Sequence, residues 1–233
     1  MHASDGKTAP PAGPLVGDEP RSGFLAALPE TARERLLADA VWINVPAGAI
    51  VYRDNERPRV IVVVRGLLRV FLSSVDGRQV TLRYVRTGDV AGLALVVGGP
   101  GPMSIQAMTS ALVAALRVDQ LRSLLAADLG VARVCAEELV RQLYQVFDEL
   151  SEQAFLSIRQ RIVFHLLNLA SPGESPRLIV HASHEELAEA VASSREVVTR
   201  NLHRLRDDGL IALSRGEIVL LDPIGLARET RGR

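Results

Sequence analysis

What this chain has little of narrows its function before any motif is read. Its single cysteine, Cys135, excludes an intramolecular disulfide framework, a four-thiolate zinc site and a cysteine-ligated iron–sulfur cluster within one chain. That economy fits a reducing compartment, and a cytoplasmic location is expected. Net charge is missing too: 27 basic and 27 acidic residues cancel, so any contact with DNA must come from local geometry rather than a global field. Apolar stretches such as Val60 to Val64 are far too short to cross a bilayer, and no membrane partner is expected. Met1 to Pro20 is rich in Pro, Gly, Ala and Asp without the apolar centre of a signal peptide, so residues 1–22 read as a flexible tail. Also absent are a glycine-rich phosphate loop, a metal-ligand spacing and a Ser-His-Asp arrangement; neither catalysis nor a metal site is expected.

What remains is a chain of 233 residues, 48% hydrophobic, which suffices for one large domain or two modest ones. Phe24 to Asp39 carries Leu25, Leu28, Ala32 and Leu36 on one side and predicts a short helix. From Val41 onward Val and Ile become frequent and turn residues recur. Ile50–Tyr52, Val60–Val64, Leu67–Leu72, Gln79–Val85 and Ala111–Leu116 are the strand candidates, with a hairpin turn at Asp76-Gly77. Strands with no helices between them predict an antiparallel sandwich or jelly roll.

From about Asp119 to Ala170 the period becomes helical. Cys135, Leu139, Leu143, Val146 and Leu150 share one stripe, and Val140, Tyr144 and Phe147 form a second beside it. One can cover the barrel while the other meets a second copy of the helix; periodicity alone equally allows an ordinary core helix. A Pro-Gly loop, Ser171 to Pro176, marks a boundary before the last segment.

The strongest local signal is Ser183 to Asp208. Ser183 with Glu186 predicts a capping box, and Leu187, Ala190 and Val191 give the helix that follows a buried face. Ser193 with Glu196 predicts a second box opening a helix that buries Val198, Leu202 and Leu205 and ends at Gly209. Leu210–Leu213 and Ile218–Leu221 then flank a turn, as in a two-stranded wing. Opposite the apolar stripe stand Arg195, Glu196, Thr199 and Arg200, a set suited to base edges in a major groove.

The order of these segments resembles the Crp/Fnr superfamily of dimeric transcription regulators, from about Phe24 to Asp222. The resemblance rests on Pro46-Ala-Gly-Ala-Ile-Val-Tyr52, Val63-Val-Arg-Gly-Leu-Leu-Arg-Val70, Gly88-Asp-Val-Ala-Gly92 and Ser194-Arg-Glu-Val-Val-Thr-Arg200. It implies an α+β chain: a double-stranded β-helix (jelly-roll) sensor barrel over 23–128, a long dimerisation helix over 129–155 and a winged helix-turn-helix over 156–233. It further implies that Arg195, Glu196 and Arg200 read bases and that Ser183, His184 and Ser194 lie near phosphates. Arginine at 195 implies a TGTGA-type half-site. The family's paired long helices place Cys135, Leu139, Leu143, Val146 and Leu150 at a homodimer interface, with double-stranded DNA and RNA polymerase as partners.

The sensor departs from the family pattern. Cyclic-AMP binders carry a Gly-Glu pair and an Arg-Ser pair; here the segments read Gly92-Leu93-Ala94 and Met103-Ser104, and Val146 and Phe147 replace the polar pair that meets adenine. A buried phosphate without its arginine is disfavoured, so cyclic AMP is not the expected effector. Haem is not expected either, because the five histidines (His2, His165, His181, His184 and His203) all lie outside the barrel. The expected pocket is aliphatic, around Gly92, Leu93, Ala94, Met103, Ser104, Val146 and Phe147. The function implied is a DNA-binding regulator whose effector is not cyclic AMP, or which needs none. The alternative is a regulatory module acting on a protein partner, with thiol redox control through Cys135 as a variant.

Overall fold

The computed structural model describes residues 22–75, 77, 79–172, 177–214 and 216–230. Nearly all of the expected tail, Asp76 of the hairpin turn, most of the Ser171–Pro176 loop and Arg215 at the wing tip lie outside these residues. In chain order the elements are α1 (Phe24–Ala27), α2 (Glu30–Ala38), β1 (Val41–Val45), β2 (Ile50–Tyr52), β3 (Val60–Arg65), β4 (Leu68–Ser73), β5 (Gln79–Val85), β6 (Val90–Ala91), α3 (Leu93–Gly98), β7 (Met103–Ala107) and β8 (Ala111–Leu116). There follow α4 (Val118–Ala127), α5 (Leu129–Phe155), α6 (Ile158–Leu169), β9 (Ser171–Pro172), β10 (Leu178–Val180), α7 (His184–Ala190), α8 (Arg195–Asp207), β11 (Ile211–Ser214), β12 (Glu217–Leu220) and α9 (Pro223–Thr230).

The helix expected over Phe24–Asp39 is two helices. Pro29 forces Leu28 into an extended conformation with ψ 149°, because the proline ring clashes with a helical residue before it. The barrel consists of two four-stranded antiparallel sheets, ordered β1-β8-β3-β6 and β2-β7-β4-β5. Val45, Tyr52, Leu68, Ile105 and Val113 fill its interior. The outer face of the first sheet packs Val60, Val62 and Ala114 against α1, α2, α4 and the start of α5.

At 27 residues, α5 spans about 40 Å and runs from the barrel to the C-terminal part of the chain. There β11-β12-β10-β9 form a third sheet around the α6, α7 and α8 core, with β11 and β12 as a hairpin. Leu67 and Tyr84 of the barrel belong to that same core, so the two parts of the chain share apolar packing. No helix among the described residues is long and apolar enough to cross a membrane.

Candidate nucleic-acid interface and adjoining cavity

The Ser183 hydroxyl accepts the Glu186 amide at 3.1 Å and the Glu186 carboxylate accepts the Ser183 amide at 2.7 Å, a reciprocal cap that starts α7. The helix after it is capped by Ser194, which accepts from the Val197 amide, and not by Ser193 as the sequence predicts. Asp208 and Gly209 close α8: Leu210 N–H donates to Leu205 O and Gly209 N–H to Arg206 O, with Gly209 at φ +73°. Between α7 and α8 the chain turns through Ala192 at φ +50°, a left-handed position that the sequence does not announce with glycine.

Val198, Leu202 and Leu205 are fully buried against α6 and α7. The opposite face of α8 is therefore turned outward. Ser194, Arg195, Glu196, Thr199 and Arg200 line one open concavity, joined by His203 and Arg204, which sequence reasoning missed although they lie three and four residues beyond Arg200. Arg195, Glu196 and Arg200 are all exposed. His184 joins the helices through a 2.8 Å hydrogen bond between Nδ1 and the Thr199 hydroxyl. Burial, then Arg195 and His203, hold the His184 pKa below its ordinary value, so the ring is neutral and can accept from Thr199. Ser183 is exposed at the N-terminus of α7.

α8 is braced from behind. Arg159 donates to both carboxylate oxygens of Glu229, at 2.8 and 2.7 Å, and to Asp208 at 2.7 Å, tying α6 to α9 and to the end of α8. Arg161 Nη1 donates to the Val191 carbonyl at 3.1 Å. Arg69, buried on β4, donates to Gln106, Gln79 and Glu189, and so fastens the barrel to α7. Arg86 adds two bonds to Asn168 of α6.

A cavity of about 220 Å³ opens between the barrel and α5. Gly92, Ala94, Met103 and Val146 line it, as the sequence predicts, together with Val70, Leu82, Ile105, Leu139, Leu143, Gln142 and Arg83. Three predicted members stand elsewhere. Leu93 points into the core beneath α3, Ser104 uses its hydroxyl on the Asp54 amide at 3.1 Å, and Phe147 faces outward. Sequence reasoning placed none of these additional residues in the pocket; among them Arg83 is a buried cation and Gln142 a second polar group in a largely apolar wall.

The two stripes on α5 also part company along its length. Cys135 is buried with Leu121, Val131 and the sheet in the core of its own chain, and Leu139 packs against that core. Leu143 and Leu150 instead stand exposed with Val140, Tyr144 and Phe147, while Val146 lies partly covered at the cavity. The outward face thus combines members of both stripes and omits Cys135.

Two family models match the chain: a cyclic nucleotide-binding domain over residues 42–128 and a Crp-like helix-turn-helix domain over residues 160–229. The chain is 35% identical to the transcriptional regulator LdrP of Thermus thermophilus over 184 residues, which cover 77% of this chain and 91% of that one. It is 26% identical over 219 residues to the CRP-like cAMP-activated global transcriptional regulator of Mycobacterium tuberculosis, covering 91% and 97%. Among solved structures, its fold is similar to a CRP-family transcriptional regulator of Thermus thermophilus at TM-score 0.70, with 31% identity over 82% of this chain and 97% of the other.

Proposed function

Because the chain belongs to the Crp/Fnr superfamily of transcription regulators, we propose that it binds an inverted-repeat, TGTGA-like operator as a homodimer, controlled by an effector other than cyclic AMP or active without one. The observation that carries this reading is the disposition of α8: Arg195, Glu196, Thr199 and Arg200 share an outward face while Val198, Leu202 and Leu205 anchor the reverse. Arginine can bond guanine O6 and N7 together, and glutamate can accept from cytosine N4. Ser183, His184 and Ser194, at the starts of α7 and α8, are the phosphate contacts of this reading.

Within it, residues 23–128 form the sensor, 129–155 the dimerisation helix and 156–233 the DNA-binding part, acting in the cytoplasm with RNA polymerase as a partner. Two-fold symmetry then sets half-sites one helical turn apart. The redox variant of the alternative loses support from the burial of Cys135.

Fluorescence anisotropy on a duplex with two TGTGA half-sites, against a scrambled duplex, tests the proposal. Arg200→Ala should remove roughly 1–3 kcal/mol of sequence discrimination and leave the dimer intact. Sequence preference unchanged by that substitution, or affinity with no steep negative dependence on salt, would count against DNA recognition by this face.

A further inference from the structure

We propose that the cavity between the barrel and α5 binds a small apolar monocarboxylate, its anionic head held by Arg83. This inference rests on the regulator reading and names the effector class for it.

Arg83 exposes only 7% of its surface, yet no carboxylate among the described residues comes within ion-pair distance of it. Among the described residues it donates from Nη2 to the Val90 carbonyl at 2.9 Å, and Gln142 already donates to that carbonyl at 3.1 Å. As a cap for Val90 the arginine is redundant. Nearby carboxylates are committed elsewhere: Glu138 is engaged by Arg141 and Gln142, and Asp89 lies 3.7 Å from Arg141. Burial draws the Arg83 guanidinium down to about 10, although Asp89 and Glu138 oppose that shift. A buried charge in this state gains from an anion that can make a bidentate contact.

The rest of the wall fixes the body of the ligand. Val70, Leu82, Met103, Ile105, Leu139 and Val146 offer no donors for a sugar or a nucleobase, and the Gln142 Nε2 is already engaged by Val90 and Glu138. At about 220 Å³ the space lies below the usual range for drug-sized ligands and suits a short aliphatic or single-ring body. A doubly charged phosphate would face Glu138 and Asp89 with only one guanidinium to offset it. Leu143 and Val146 line the cavity from α5, whose exposed face begins at the same turn, so occupancy bears directly on the helix proposed to pair with a second copy.

Isothermal titration of the full chain with octanoate, phenylacetate, octanamide and cyclic AMP tests the inference without DNA. At least one acid should bind, with octanoate at least tenfold tighter than its neutral isostere octanamide. Arg83→Met should reduce octanoate to the octanamide level, and Arg83→Lys should retain part of the difference. The comparison of acid and amide on the unaltered chain needs no variant to fold. Equal affinity for octanoate and octanamide, binding of neither acid, or tighter binding of cyclic AMP would overturn it. Operator binding is measured separately, so loss of DNA recognition with retained acid binding would sink the regulator reading and leave the site.

Discussion

The phenol of Tyr84, on barrel strand β5, shares a 2.8 Å hydrogen bond with Nδ1 of His165 in α6, and both rings are buried. The ring's other nitrogen is Nε2, and a hydrogen bond with the Ala190 backbone favours the charged form of the ring. Glu149 lies 3.7 Å from that nitrogen, a separation at which an ion pair is conceivable. Desolvation decides otherwise: burial, with Arg69 and Arg161 adding to it, lowers His165 to about 4, so the ring is neutral near pH 7. Burial likewise pushes the Tyr84 hydroxyl well above its ordinary value. The contact between the barrel and the C-terminal part is therefore a neutral hydrogen bond flanked by the Arg69–Glu189 pair.

This contact sets a pH dependence. The unfolded chain protonates its histidine near 6.5 while the folded one resists to about 4, so the native state binds fewer protons between those values. Stability is complete above pH 6.5 and falls as pH drops toward 4, by on the order of 3 kcal/mol. Thermal melts at pH 7.5 and 5 should show the loss, and His165→Gln should flatten it. An acid limb as steep in the variant as in the parent would refute the assignment to His165.

The thiol of Cys135 is 2% exposed, and burial followed by Glu138 raises its pKa to about 11. At pH 8 about one thiol in a thousand is ionised, so native protein should react with a disulfide reagent only as fast as it unfolds. Peroxide or diamide should leave operator affinity unchanged. Rapid stoichiometric labelling of the folded chain would restore the redox reading.

Gly92 takes φ +83° at the start of α3, and a Cβ there would meet the Arg59 carbonyl oxygen at 1.9 Å. Gly92→Ala should cost several kcal/mol, roughly 10 °C in melting temperature, through backbone displacement as well as left-handed strain. Gly48, at φ +80° with nothing within 4 Å of its Cβ position, is the control, and its alanine variant should lose only about 1 kcal/mol. Similar losses at both sites would mean that crowding at Arg59 is not what fixes this glycine.

Local chemistry was the part most legible in the sequence. The Ser183–Glu186 cap and the Gly209 terminus are written within four residues and form as expected. The second cap was misplaced by one residue because Ser193 and Ser194 are adjacent, and only the backbone decides which hydroxyl meets Val197. β1, β7 and the two-residue β6 were not among the strand candidates, and α3 stands between β6 and β7 where strands without intervening helices were expected. Arg83 escaped notice for a different reason. An alternating strand shows which side chains share a face, but β5 is covered on one face by the barrel and on the other by α5 and α7, so Arg83 is buried on a strand whose sequence does not announce that cover. Cys135 shares a stripe with Leu143, but the first lies in the barrel-side core and the second stands half exposed at the cavity mouth; one periodic stripe meets two environments.

That change of environment makes a prediction about assembly. Val140, Leu143, Tyr144, Phe147 and Leu150 are each 47 to 62% exposed on a single face of α5, a run of apolar surface that a lone helix in water does not stabilise. Paired with its copy, the face buries two aromatic rings per chain, each contributing on the order of 2 kcal/mol. Tyr144→Glu with Phe147→Glu should convert the proposed dimer to monomer in sedimentation velocity at micromolar concentration, with the melting of the barrel little altered. Binding to an inverted repeat should then fall to the level of a single half-site, since the two recognition helices no longer arrive together. Cys135→Ala, which alters a position inside its own core, should leave the dimer in place. A dimer that survives both glutamates would move the interface off this face of α5.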